Sequence, residues 1–265
     1  MGWKGSLIGS FLGSFVARSW LGAILGAVVG HQVEERYFGP KRKGGGASPY
    51  ASLSERDRSM MFCATVAAIL AKIAKADGHV TQGEINRIEG AFRQLGFSPS
   101  ARSYAVRVFR RAKDDARSIY QYAGDFADLV DSVEMRELLY EILWDVAGAD
   151  GEVGPNEQAM LRRLPMALRI RPDWFAYFAS SRLGGNRGGA PNRSSGGVEA
   201  AYAILGASAG DSDDELKRKY RELAKKNHPD ALRAQGLPEA MVGKATERMS
   251  RINAAWAEIK EARGL

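Results

Sequence analysis

The 265-residue chain is predicted to be all-α, because three kinds of sequence pattern favour helices along almost its whole length. Apolar residues recur at spacings of three and four through the middle and the last quarter of the chain. Serines suited to helix N-caps, among them Ser54 and Ser98, precede several of these runs, and a long apolar stretch lies near the N-terminus. We therefore expect an N-terminal transmembrane helix, a central helical bundle and a C-terminal helical hairpin.

Residues 1–31 form the predicted transmembrane segment. Arg18 is the one ionisable residue between Ser6 and Gly30, and a helix needs about 20 residues to cross a hydrocarbon core. An arginine in the bilayer centre costs about 2.5–3.5 kcal/mol on insertion scales, which the surrounding apolar residues can offset. Membrane lipid is therefore an expected partner of this segment.

Glycines recur at every fourth position in two stretches of the apolar segment. This spacing lays a smooth strip along a helix and allows a second helix to approach closely. Two interpretations stay open: the strip is the contact of a transmembrane homodimer, or it packs small residues within a monomeric hairpin. The strip consists of Gly5, Gly9, Gly13, Gly22, Gly26 and Gly30.

Residues 32–52 are predicted to be a basic juxtamembrane linker. Four basic residues follow the apolar segment, whereas only Lys4 precedes it. By the positive-inside rule, the N-terminus lies outside and the rest of the chain lies in the cytoplasm, so the protein crosses the membrane once. The four basic residues are Arg36, Lys41, Arg42 and Lys43.

Charge and cysteine content exclude several functional classes. The net charge is +7, but the positive excess lies in residues 1–52 and 181–197, and both predicted helical domains are nearly neutral. We therefore expect no nucleic-acid partner.

Cys63 is the only cysteine, so an intrachain disulfide is impossible. No catalytic triad or phosphate-binding glycine loop is present, and we assign no catalytic residue.

Residues 53–180 are predicted to form a helical bundle that contains an internal repeat. Ala-Asp-Gly at 76–78 recurs at 149–151, and each copy is followed by a glutamate six residues after its glycine. The repeat has two interpretations: helix capping, or a divalent-cation site if the two copies face each other. A calcium loop of the EF-hand type is excluded, because the residues at its first ligand positions are apolar. The four carboxylates concerned are Asp77, Glu84, Asp150 and Glu157.

Residues 181–197 have the composition of a flexible linker, and residues 198–265 are predicted to be a helical hairpin. Ser212 and Glu215 have the spacing of a capping box, which starts a helix that runs to about Asn227. Pro229 disfavours continuation of that helix, so we expect His228 and Asp230 in a stiff exposed loop. A second long helix is predicted over residues 239–262. A short helix before both is predicted to end at Gly206, which can take the left-handed conformation.

The hairpin resembles the J-domain of DnaJ-type co-chaperones. The matching residues are Tyr202, Leu205 and Gly206, the run 216–224, the tripeptide His228-Pro229-Asp230, and the run 252–256. The resemblance implies that the tripeptide triggers ATP hydrolysis by a DnaK-type Hsp70 chaperone, so the catalytic chemistry belongs to the partner. It also implies a chaperone-binding basic face and a small core. The basic face is Lys217, Arg218, Arg221 and Lys225, and the core is Tyr202, Leu205, Tyr220, Leu223, Ile252 and Trp256.

Glu222 departs from the pattern of this family. It stands where many J-domains carry another basic residue, so we expect the electrostatic contact with the chaperone to be weaker or differently tuned.

The central repeat resembles the TerB family of helical domains, on Asp77-Gly78, Glu84, Asp150-Gly151 and Glu157. The order of glycine-rich segment, TerB-like bundle, linker and J-domain resembles the DjlA type of membrane-anchored DnaJ-like co-chaperones. This implies a protein of the bacterial inner membrane that recruits a DnaK-type chaperone to the cytoplasmic face, requires no cofactor and acts on unknown clients. The alternative is a membrane scaffold or divalent-metal-responsive sensor built on the bundle.

Overall fold

The computed structural model describes residues 53–76, 82–148, 153–183 and 196–265, which form helices joined by turns. The described part of the bundle comprises α1 (Glu55–Ala76), α2 (Gln82–Gln94), α3 (Pro99–Ala112), α4 (Ile119–Leu129), α5 (Val133–Ala147), α6 (Pro155–Leu168) and α7 (Asp173–Leu183). The C-terminal domain comprises α8 (Gly196–Leu205), α9 (Asp213–Asn227), α10 (Pro229–Ala234), a 3-10 turn (Glu239–Met241) and α11 (Val242–Arg263). The all-α prediction is confirmed.

Helix α1 runs through the centre of the bundle. Every residue from Met60 to Ala71 is buried, and α3, α4, α5 and α6 all pack against this helix. A helix that is apolar on all sides is expected at such a central position. Cys63 lies on α1 with no exposed surface, and burial raises the pKa of its thiol well above the usual range, so it is an unreactive core residue.

Serine caps fix the starts of several bundle helices. Ser54 Oγ accepts the Asp57 N–H at 3.2 Å, and Ser98 Oγ accepts the Ala101 N–H at 3.3 Å, directly before Pro99. These contacts satisfy backbone donors that lack partners in the first turn of a helix. The predicted starts at Ser54 and Ser98 are therefore confirmed.

The predicted membrane segment, its glycine strip and the basic linker lie outside the described residues. None of the helices that the structure describes has the length and apolar character needed to cross a bilayer.

Helical residues occupy both ends of the linker that the sequence predicted over residues 181–197. Helix α7 continues to Leu183, and α8 already begins at Gly196. Phe178 of α7 packs against Trp144 of α5 with ring centroids 6.2 Å apart, which anchors the helix on the bundle.

Helix α11 contributes to two apolar cores, whereas the sequence predicted that its apolar face packs within the C-terminal hairpin. Ala245 joins the core of the bundle, as does Met241 of the 3-10 turn directly before the helix, while Ile252 and Ile259 join the core of the C-terminal domain. The reason is length: the 22 residues of α11 span about 33 Å, and the 15 residues of α9 span only about 22 Å. The end of α11 that extends past α9 packs on the bundle instead.

Candidate functional site

Helix α9 begins at the capping box that the sequence predicted. Glu215 donates its backbone N–H to Ser212 Oγ at 3.3 Å, and Ser212 donates its own backbone N–H to a Glu215 carboxylate oxygen at 2.9 Å. Hydrogen bonds from Ser212 lower the pKa of Glu215, so the carboxylate stays ionised at the positive end of the helix. This start fixes which side of α9 faces the core.

A small apolar core holds α8, α9 and α11 together. Leu216 is completely buried, and Tyr220 of α9 stacks on Trp256 of α11 with centroids 5.0 Å apart and planes 11° apart. Of the six predicted core residues, Tyr202, Leu205 and Ile252 are buried, and Tyr220, Leu223 and Trp256 are half-buried against them.

Two residues, Gly206 and Arg263, fix the ends of helices in this domain. Gly206 ends α8 with φ of +60°, the left-handed conformation that the sequence predicted for it. Arg263, at the end of α11, donates to the Tyr202 hydroxyl at 2.7 Å and to the Asp211 carbonyl at 2.9 Å. It also pairs with Asp213 at 3.1 Å. Sequence reasoning missed Arg263, since its partners are distant in the sequence.

The tripeptide at residues 228–230 starts a helix and does not lie in a loop. His228 is the N-cap of α10, and its Nδ1 accepts the Asp230 N–H at 3.3 Å. Pro229 occupies the first helical position, where its lack of an N–H has no cost. The predicted stiff exposed loop is thus reduced to the non-helical residue His228, whereas Asp230 is helical; the predicted exposure is present, since the side chains of His228 and Asp230 are 55% and 75% exposed.

Arg233 holds Asp230 in place. Its guanidinium pairs with Asp230 at 3.2 Å and with Glu239 at 3.2 Å, and the hydrogen bond to Glu239 contributes most to raising the pKa of Arg233. The backbone N–H of Glu239 donates in turn to a carboxylate oxygen of Glu55 on α1, at 2.7 Å. Polar contacts through Arg233 and Glu239 thus connect the tripeptide to Glu55 of the bundle.

The predicted basic face lies along the exposed side of α9. Arg218, Arg221 and Lys225 are exposed and Lys217 is half-buried. Arg218 pairs with Glu222 at 3.2 Å on the helix surface. Within the described part of the chain, no carboxylate forms an ion pair with the other three cations, which therefore remain available to an acidic partner.

The proposed metal carboxylates are only partly described. Asp77, Asp150 and the Glu84 side chain lie outside what the structure describes. Glu157 caps α6, where its Oε2 accepts the Gly154 N–H at 2.8 Å next to Pro155 at the first helical position. The described residues contain no group of three or more metal-binding side chains. The cation site stays a prediction, and the observed contact of Glu157 is helix capping.

The arrangement offers an exposed histidine and aspartate after a helix with three cations that have no carboxylate partner among the described residues. Its residues can bind an acidic protein surface and insert two fixed polar side chains into it. The site thus defines a class of protein: one that acts by contact with a partner protein.

Family comparisons specify this class. The family model for the DnaJ domain matches residues 200–263, that for tellurite resistance protein TerB matches residues 64–179, and that for the co-chaperone DjlA transmembrane domain matches residues 1–44. The chain is a membrane-anchored J-domain co-chaperone with a TerB-like domain.

Curated relatives extend the match along the chain. The co-chaperone protein DjlA of Shewanella oneidensis is 30% identical over 235 residues, covering 85% of this chain and 87% of the relative. That of Yersinia pseudotuberculosis is 29% identical and covers 100% of this chain and 99% of the relative. That of Escherichia coli K12 is 28% identical, covering 80% and 83%. No solved structure matches the chain. The chain belongs to the DjlA family of co-chaperones.

Proposed function

We propose that this co-chaperone binds a DnaK-type Hsp70 chaperone through the basic face of α9 and stimulates its ATP hydrolysis through His228, Pro229 and Asp230. The observation that carries the proposal is the exposure of His228 and Asp230 just after a helix whose cations Lys217, Arg221 and Lys225 have no carboxylate partner among the described residues. The chain supplies contact and orientation, and the phosphate chemistry belongs to the chaperone.

The electrostatics of α9 support fast association with an acidic surface. Lys217, Arg221 and Lys225 lie four residues apart on one side of the helix and have no carboxylate partner among the described residues. Like-signed charges along an open face steer an oppositely charged partner and increase its association rate. Because Glu222 pairs with Arg218, it neutralises one cation and leaves the other three unpaired.

The topology that we propose places this contact at the cytoplasmic face of the bacterial inner membrane. Arg36 and residues 41–43 lie on the C-terminal side of the apolar segment, which supports a cytoplasmic location for both folded domains. The glycine strip supports a homodimer through the membrane helix. Cysteine labelling with a membrane-impermeant reagent in intact and in lysed spheroplasts tests the orientation, and crosslinking of Gly13→Cys tests the dimer.

Single-turnover ATP hydrolysis by DnaK tests the proposed activity, with the full-length protein in lipid nanodiscs. We expect stimulation by the wild type, and hydrolysis at the rate of DnaK alone with Asp230→Asn. Asp214→Asn is the matched control, because it makes the same change at an exposed position on α9. Equal stimulation by both variants would refute the role of the tripeptide.

The basic face is tested by charge reversal. Arg221→Glu should weaken stimulation, and the loss should shrink as salt screens the contact. Lys260→Glu changes the net charge equally at an exposed position on α11 and should leave stimulation unchanged. If the two variants were equally impaired, general charge and not this face would govern the interaction.

A further inference from the structure

We propose that the TerB-like bundle carries a docking surface for the J-domain of the same chain. The surface consists of an acidic row on α5 (Glu137, Glu141 and Asp145) together with Trp174 of α7. Its partner is a basic set on α11 (Lys244, Arg248 and Arg251). The docked J-domain is held in one orientation, with its chaperone-binding side open to solvent.

Three ion pairs join the two domains across this surface. Arg248 pairs with Glu137, Arg251 pairs with Glu141, and Lys244 pairs with Asp145 at 3.2 Å. The three acids lie four residues apart and so share one face of α5. Three pairs between the same two helices define an orientation, which a single pair would not.

The burial of Glu141 shows that the bundle surface is suited to a cationic partner. Its side chain is only 1% exposed, and within the described residues its ion-pair partner is Arg251 of the J-domain. A buried carboxylate without a counter-charge is strongly unfavourable. Burial lowers the pKa of Arg251, but the nearby Glu141 carboxylate more than offsets this and raises it, so the guanidinium remains charged.

Trp174 gives the surface a second kind of specificity. Its indole Nε1 donates to Glu137 at 2.7 Å and so orients the carboxylate that receives Arg248. The guanidinium of Arg248 lies 5.0 Å from the centroid of the Trp174 ring, and that of Arg171 lies 4.9 Å from it. Cation–π contacts of this kind favour arginine on the partner helix. Arg171 also donates to the Ala203 carbonyl of α8 at 3.4 Å.

Apolar contacts continue the interface toward the tripeptide. Leu237, Met241 and Ala245 are buried in the core of the bundle, although they belong to the C-terminal domain. The 3-10 turn that contains Met241 contacts α1. In this docked arrangement, His228 and Arg221 remain exposed, so the interface positions the J-domain without covering its proposed chaperone contact.

The test uses full-length protein in detergent with a sequence-specific protease site inserted between Gly188 and Gly189. After cleavage at low salt, we expect the C-terminal fragment to co-elute with the membrane-segment fragment in size-exclusion chromatography. Arg251→Glu should increase fragment dissociation about tenfold or more, since loss of a buried charge partner mainly raises the dissociation rate. Lys260→Glu, with the same charge change on α11, should behave like the wild type.

Charge exchange separates docking from misfolding. Arg251→Glu combined with Glu141→Arg should restore co-elution. The more exposed pair offers a second exchange, Lys244→Glu with Asp145→Lys. Separation of the wild-type fragments, or equal behaviour of Arg251→Glu and Lys260→Glu, would overturn the proposal. Neither readout requires DnaK, so a failure here is distinguishable from a failure of the proposed co-chaperone activity.

Discussion

Truncation of Met241 gives a quantitative test of the packing between the two domains. The Met241 side chain has no exposed surface and lies in the bundle core, on a turn that contacts α1. Replacement of a buried methionine by alanine typically costs about 2–5 kcal/mol in the free energy of unfolding. With a urea m-value of about 3 kcal/mol/M, expected for a unit of this size, the unfolding midpoint should fall by about 0.7–1.7 M.

Urea unfolding of the full-length protein, followed by tryptophan fluorescence and circular dichroism, measures this shift. Trp144 and Trp174 report on the bundle, and Trp256 reports on the J-domain. Met166→Ala is the matched control, because this methionine is 82% exposed and its truncation should change stability by no more than about 0.5 kcal/mol. If Met241→Ala left the bundle transition unchanged, or shifted it no more than Met166→Ala does, the assignment of Met241 to the bundle core would be wrong.

Three further predictions concern the J-domain and the bundle separately. Leu216→Ala removes a completely buried side chain and should cost about 2–5 kcal/mol in J-domain stability, measured by thermal unfolding; a cost below about 0.5 kcal/mol would contradict its core position. Hydrogen bonds depress the pKa of Asp211, chiefly from Lys219, and of Glu215, chiefly from Ser212. The two ionised carboxylates therefore stabilise the fold fully above their ordinary pKa values of 3.8 and 4.5, and this stabilisation is lost as pH falls through the lower pKa values of the folded state. Asp211→Asn should accordingly make the free energy of unfolding fall less steeply with pH on the acid side. Glu157→Ala removes a cap and should cost about 0.5–2 kcal/mol equally with and without divalent metal; a cost that appears only with metal would favour the cation site.

Features that depend on neighbouring residues were predictable from the sequence. The capping box at Ser212, the left-handed Gly206 and the helix start at Ser98 all use contacts within a few positions of the chain. The exposed His-Pro-Asp tripeptide was also predictable, because proline restricts the residue before it. The short helix α10 was not predicted, although Pro229 at a first helical position was a usable signal.

The docking of the J-domain on the bundle could not be derived in the same way. A period of three and four residues places Met241, Ala245 and Ile252 on one side of a helix, but it does not specify which domain each contacts. Arg248 lies within that apolar stripe, three residues after Ala245, and is only 3% exposed. A charged residue inside an apolar stripe signals a buried counter-charge, and the buried Glu137 on α5, with which Arg248 pairs, is the corresponding signal on the bundle.

The geometry of the proposed chaperone-binding side depends on the bundle because one short helix connects the two. Helix α10 begins with the exposed tripeptide, and its Leu232 is buried in the apolar cluster that also contains Met241. The 3-10 turn that follows is fixed to α1 through the hydrogen bond to Glu55. A change in bundle packing would therefore alter the support of His228 directly. An isolated J-domain lacks this support, so the orientation of the tripeptide is a property of the two domains together.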